Sequence, residues 1–82
     1  MGAKNLPLDS GRKITEAFER LGWASHRGKN HFVLTHPNAP KLTISIPDHK
    51  PVDRKLLHSE IRKAELAVGL TEEDFLKAYR GR

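Results

Sequence analysis

With 82 residues, 37% of them hydrophobic and 30% charged, the chain has room for one compact domain with a modest core and none for a separate substrate domain. The absence of cysteine excludes a disulfide-stapled fold, a thiol enzyme and a cysteine-based zinc module, and points to a reducing, cytoplasmic setting. Fifteen Lys and Arg against ten Asp and Glu give a net charge of +5 and a pI near 9.9, which favours a polyanionic partner, nucleic acid before others.

Taken from the start, Met1 to Leu8 contain no apolar run long enough for a signal peptide, and no stretch of about 18 apolar residues follows, so neither export nor membrane insertion is expected. Ile14, Phe18 and Leu21 recur at helical spacing beside Ala17. Ser10 can cap this helix and Gly22 can stop it in a left-handed conformation, which predicts a helix over about 11–21. From Trp23 to Ile46 the helical period disappears. Short β-branched and aromatic stretches are broken first by Gly28, Lys29 and Asn30 and then by Pro37, Asn38, Ala39 and Pro40, the pattern of a three-stranded antiparallel meander. Phe32 and Leu34 alternate with His31, Val33 and Thr35, and Leu42, Ile44 and Ile46 alternate with Thr43 and Ser45, so each strand has one core face and His31 points away from it. Pro47 ends the third strand. Asp53 can cap a second helix carrying Leu57, Ile61, Ala64 and Val68, closed by Gly69, and Thr71 with Asp74 forms a capping box for a short last helix with Phe75, Leu76 and Tyr79.

The order α-β-β-β-α plus a short C-terminal helix predicts an α+β domain over residues 1–82, with both main helices on the apolar face of one sheet. The expected core is Ile14, Phe18, Leu21, Phe32, Leu34, Leu42, Ile44, Ile46, Leu57, Ile61 and Val68, with Trp23 as a further anchor. The opposite face is left to His31, Thr35, Thr43 and Ser45. Between Gly22 and Lys50 the bases Arg27, Lys29, Lys41 and Lys50 face a single acid, Asp48, which suits contact with an RNA backbone by shape and charge. Asn30, beside Lys29 in sequence, and Arg54 and Lys55, at the start of the second helix, extend this candidate RNA-binding set.

Chemistry adds a second candidate role. RNA cleavage needs no metal when the 2′-hydroxyl is the nucleophile: it needs a proton acceptor, a proton donor for the leaving oxygen, and cations for the phosphorane-like transition state. A histidine, with an ordinary pKa of about 6.5, fills either proton-transfer role at neutral pH. His31 is the leading candidate, with Lys29 and Arg27 as charge stabilisers and His49 as a second proton-transfer group. His26, His31 and His36 recur every five residues, yet no carboxylate accompanies them and opposite strands need not converge, so no metal site is expected.

Leu21-Gly22-Trp23, Arg27-Gly28-Lys29-Asn30-His31, His36-Pro37, Ile46-Pro47-Asp48-His49 and the run from Gly69 to Phe75, in this order within so short a chain, resemble the HicA toxin family, small RNA-cleaving partners of HicB antitoxins. The similarity spans residues 10–79. It implies a double-stranded-RNA-binding-domain-like fold, mRNA cleavage in the bacterial cytoplasm and a HicB-like antitoxin partner, with no cofactor. The family's catalytic histidine closes a Gly-Ser-x-His segment, and the matching position is His31, after Gly28, Lys29 and Asn30. Lys29 departs from the usual small hydroxyl residue, and Glu65 stands where relatives are commonly apolar. Three function classes follow: a toxin RNase, a non-catalytic RNA-binding module favoured by Lys29, and a basic interaction domain for an acidic protein.

Overall fold

The structure, a computed structural model, describes residues 6–81; the readings made of Met1 to Asn5 and of Arg82 lie outside the described residues. The elements follow the order α1 (Gly11–Arg20), β1 (Ala24–Arg27), β2 (His31–His36), β3 (Ala39–Pro47), α2 (Arg54–Val68) and α3 (Glu72–Tyr79). The three strands form one antiparallel sheet in the order β1-β2-β3. This is the expected α+β arrangement, and no helix among the described residues is long and apolar enough to cross a membrane.

The local signals act as read. The Ser10 hydroxyl accepts from the Lys13 amide, the Asp53 carboxylate from the Leu56 amide, and Thr71 and Asp74 exchange both bonds of a capping box. Each satisfies amide groups that a helix start leaves without an internal partner. Gly69 ends α2 at φ 77°, the left-handed conformation in which a β-carbon is penalised. One boundary differs. The second hairpin turns on Pro37 and Asn38 alone, and Ala39 and Pro40 already belong to β3. Proline is admissible there because β3 is an edge strand, where a missing amide hydrogen takes nothing from the ladder.

Packing is asymmetric. α1 lies across all three strands, whereas α2 touches only β3, and α3 closes the layer by packing against both α1 and α2. The buried cluster holds Ile14, Phe18, Leu34, Ile44, Ile46, Leu57 and Ile61 as expected, and Trp23 joins it. Leu21, Leu42 and Val68 are only partly buried against it. Phe32 points to the helix side but lies near the end of the sheet, where the Arg27 guanidinium covers its ring at 5.0 Å in place of core side chains. Their room is taken by Leu6, Val52 and Leu70, which lie outside any periodic run, and by Phe75 of α3; all four are buried, with Phe75 5.2 Å from Phe18 between ring centroids.

Leu6 is reached by a strap of chain ahead of α1. The Arg54 Nε donates to the Leu6 carbonyl at 2.7 Å and the Val52 amide to the Asp9 carbonyl at 2.8 Å. The Tyr79 hydroxyl donates to the Asp9 carboxylate at 2.5 Å, joining the strap to the last residue of α3. That bond, with the Ser10 amide second, holds the Asp9 carboxyl below its usual range and pushes the Tyr79 hydroxyl above its own. On the other flank Glu60 is buried in α2. Its Oε1 accepts from the Ser45 amide of the β3 edge at 3.2 Å and from Lys63 Nζ at 3.1 Å.

Candidate active site

Alternation along β2 sends Phe32 and Leu34 toward the helices and therefore His31, Val33 and Thr35 to the open face. The register places His31 opposite Pro47 and Val33 opposite Ser45 and His26, so His26 is the diagonal neighbour of His31 on that face. His36 has the other orientation. Its ring meets buried Trp23 edge-on at 5.1 Å, and its Nδ1 accepts from the Asn38 amide, a packing role. The three histidines thus do not converge. Among the described residues no group of three or more His, Cys, Asp or Glu is arranged to hold a metal ion.

The loop of Gly28, Lys29 and Asn30 is closed by a 2.7 Å bond from the Gly28 amide to the His31 carbonyl. Gly28 has no need of a left-handed conformation, but its missing side chain matters. A β-carbon there would stand 3.2 Å from both Cε1 and Nε2 of His31 and 3.1 Å from its carbonyl oxygen. The imidazole is therefore laid over the bare backbone at Gly28, half-buried, with Lys29 and Asn30 exposed in the same loop. A second loop supports the first. The Asp48 amide donates to the Asn30 carbonyl at 3.0 Å, and the Gly11 amide at the start of α1 donates to the His49 carbonyl at 3.0 Å.

The candidate residues divide by this geometry. Lys29, Asn30, His31, His49 and Lys50 gather where the two loops meet. Arg27 is directly opposite Phe32 and so projects to the helix side, away from His31; it forms an ion pair with Asp48 and covers the Phe32 ring. Lys41 is exposed at the far end of β3, six residues before Pro47, which at the rise of an extended strand is roughly 20 Å away. Arg54 is engaged with the Leu6 carbonyl, and Lys55 is exposed in the first turn of α2. The pairing of Arg27 with Asp48 has no trace in sequence spacing. The steric role of Gly28 had one: a glycine three positions before a histidine in a tight hairpin.

An imidazole on an open face beside an exposed amine and amide can exchange protons with a polyanion lying across the sheet end while cations hold its charge. A separate concavity lies elsewhere. A groove of about 690 Å³ between α2 and α3 is lined by His58, Arg62, Glu65, Glu72 and Lys77 among others, with charges of both signs.

Comparison with known proteins gives one finding: the family model described as HicA toxin of bacterial toxin–antitoxin matches residues 11–66, more than half of the chain. No curated protein and no solved structure matches.

Proposed function

Because this chain belongs to the HicA toxin family of bacterial toxin–antitoxin systems, we propose that it is a metal-independent endoribonuclease that cleaves mRNA through His31 and is held in check by a HicB-like antitoxin in the cytoplasm. Membership itself makes it the toxin of such a pair, with a cognate antitoxin as partner. The observation that carries the catalytic reading is the seating of the His31 imidazole over Gly28, on the open face and next to Lys29.

In this reading RNA crosses the end of the sheet so that a scissile phosphate lies by the loop of residues 28–31. The imidazole takes the proton of the 2′-hydroxyl as the 2′-oxygen bonds to phosphorus and the bond to the 5′-oxygen breaks. The imidazolium so formed returns the proton, directly or through water, to the departing 5′-oxygen, and the Lys29 ammonium offsets charge on the phosphorane-like transition state. The products carry a 2′,3′-cyclic phosphate and a 5′-hydroxyl. Arg27 serves indirectly, because its pairing with Asp48 holds the two loops together.

The test is incubation of purified protein with mRNA, with and without a chelator, alongside His31→Ala. Cleavage that survives chelation, is blocked by a 2′-deoxy residue at the cut position and falls by about 10² to 10⁴ in the variant fits the assignment. Full cleavage by His31→Ala, or 3′-hydroxyl ends that require magnesium, overturns it. Lys29, standing where the family carries a hydroxyl, favours a second reading as a non-catalytic RNA-binding module, which takes over if the wild-type protein binds RNA and cleaves nothing.

A further inference from the structure

We propose that the RNA-binding surface does not stay on the sheet but runs as a band of cations from Lys29 across Lys50 to Arg12 and Lys13 on the first turn of α1, following the phosphate backbone of a single RNA strand. The proposal rests on the reading of the chain as an RNA-directed toxin and extends it to residues for which the sequence offered no signal. Arg12 and Lys13 sit in a helix whose pattern points only to Ile14, Phe18 and Leu21.

Three connections make the band continuous. The loop carrying Lys29 is bonded to the loop carrying Lys50 through the Asp48 amide and the Asn30 carbonyl. That second loop is bonded to α1 through the Gly11 amide and the His49 carbonyl, and the two approach so closely that a β-carbon on Gly11 would lie 2.0 Å from the Pro47 oxygen. Lys50 and Lys13, from different segments, both lie within electrostatic reach of Asp9, and Lys13 shares a hollow with it. Lys29, Lys50, Arg12 and Lys13 are all exposed, as is His49 between them.

The acids along this path are already engaged. Asp48 is paired with Arg27, and Asp9 accepts from the Tyr79 hydroxyl and the Ser10 amide. Asp48 is thereby opposed by a cation of its own, whereas Asp9 keeps its charge and is opposed by Lys13 and Lys50, so four cations stand against one acid along the band and the local field stays positive. Glu16, one turn further along α1 and next to Lys13 around a shared hollow, marks where the band ends. A strand of RNA bound at Lys29 thus meets further positive charge on the α1 side, whereas toward Lys41 it would have to cross the length of β3.

The experiment uses the full chain carrying His31→Ala, so that RNA is bound and not consumed, and measures affinity for a single-stranded RNA over a range of salt concentrations. Adding Lys13→Gln and Lys50→Gln together should reduce the steepness of log K against log salt by about 1.4, close to 0.7 for each lost phosphate contact. Lys77→Gln on α3 should leave the slope unchanged. A slope unaffected by the double change, or one that drops with Lys41→Gln instead, overturns the band while RNA binding itself stands. An absence of RNA binding at every salt concentration, with binding to an acidic protein in its place, overturns both the band and the reading beneath it.

Discussion

The imidazole of His31 rests on Gly28, close enough that a β-carbon on the glycine would stand 3.2 Å from two of its ring atoms. Such a contact is relieved only if the ring, and with it the His31 carbonyl at 3.1 Å, gives way by a few tenths of an ångström. Gly28→Ala should therefore act on chemistry before stability. We expect RNA cleavage to fall by about 10- to 100-fold through kcat, since small displacements of a reacting group have effects of this order. The thermal midpoint should change little, because the loop is exposed and alanine also stiffens the unfolded chain. Cleavage kinetics and a melting curve on one preparation check this; a loss of activity in step with a loss of fold would make Gly28 merely structural.

Gly11→Ala should have the opposite character. In an exposed helix the change from glycine to alanine stabilises by up to about 1 kcal/mol. Here the new β-carbon would lie 2.0 Å from the backbone oxygen of Pro47, which cannot swing aside as a side chain does. We expect a loss of about 2 kcal/mol or more from overpacking, read by urea unfolding. An unchanged or raised midpoint would mean that α1 and β3 can separate at no cost.

Tyr79→Phe should weaken the link between the strap and α3 by about 1 kcal/mol at neutral pH, the usual worth of a partly buried hydrogen bond. The same bond sets a pH dependence. Asp9 titrates below its ordinary 3.8 in the folded protein, so its contribution is present above that value and is lost as pH falls through the lower folded value. Tyr79 titrates above its ordinary 10.0, so its contribution is present below 10 and is lost as pH rises through the higher one. Unfolding free energy measured against pH should show both losses, and Tyr79→Phe should flatten each. Some acid sensitivity should remain, because Asp74 is also held below its ordinary value by the Thr71 amide and hydroxyl.

Glu60→Ala should destabilise by about 1 to 2 kcal/mol, since it deprives both the Ser45 amide and Lys63 of their acceptor. Glu60→Gln should recover part of that loss, because an amide oxygen still accepts from Ser45. Hydrogen exchange at Ser45 gives the local readout: fast exchange in Glu60→Ala and slower exchange in Glu60→Gln are expected, and equal rates would rule out the bond.

Periodicity made most of this architecture readable in advance. The runs from Ile14 to Leu21, from Phe32 to Ile46 and from Leu57 to Val68 each have a face, and the caps at Ser10, Asp53 and Thr71 mark where helices begin. Leu6, Val52 and Leu70 were beyond such reasoning. Each is a single apolar residue among prolines, glycines or charges, and its burial is decided by what packs over it from distant parts of the chain. The same holds at the site. The outward direction of His31 follows from alternation within one strand, but the engagement of Arg27 with Asp48 depends on two loops meeting 21 positions apart in sequence. Phe32, placed correctly by face, lies too near the end of its sheet to join the core, a matter of position along the strand that period alone does not report.

The packing of Phe75 against Phe18 bears on the order of events during synthesis. A chain leaves the ribosome from its N-terminal end, so α1 and all three strands emerge before the residue that completes their apolar layer. Until α3 is free, Phe18 has Trp23 but lacks Phe75, Asp9 lacks the Tyr79 hydroxyl and Arg20 lacks the Ala78 carbonyl. The sheet that presents His31 therefore gains its full support only after translation has passed Tyr79.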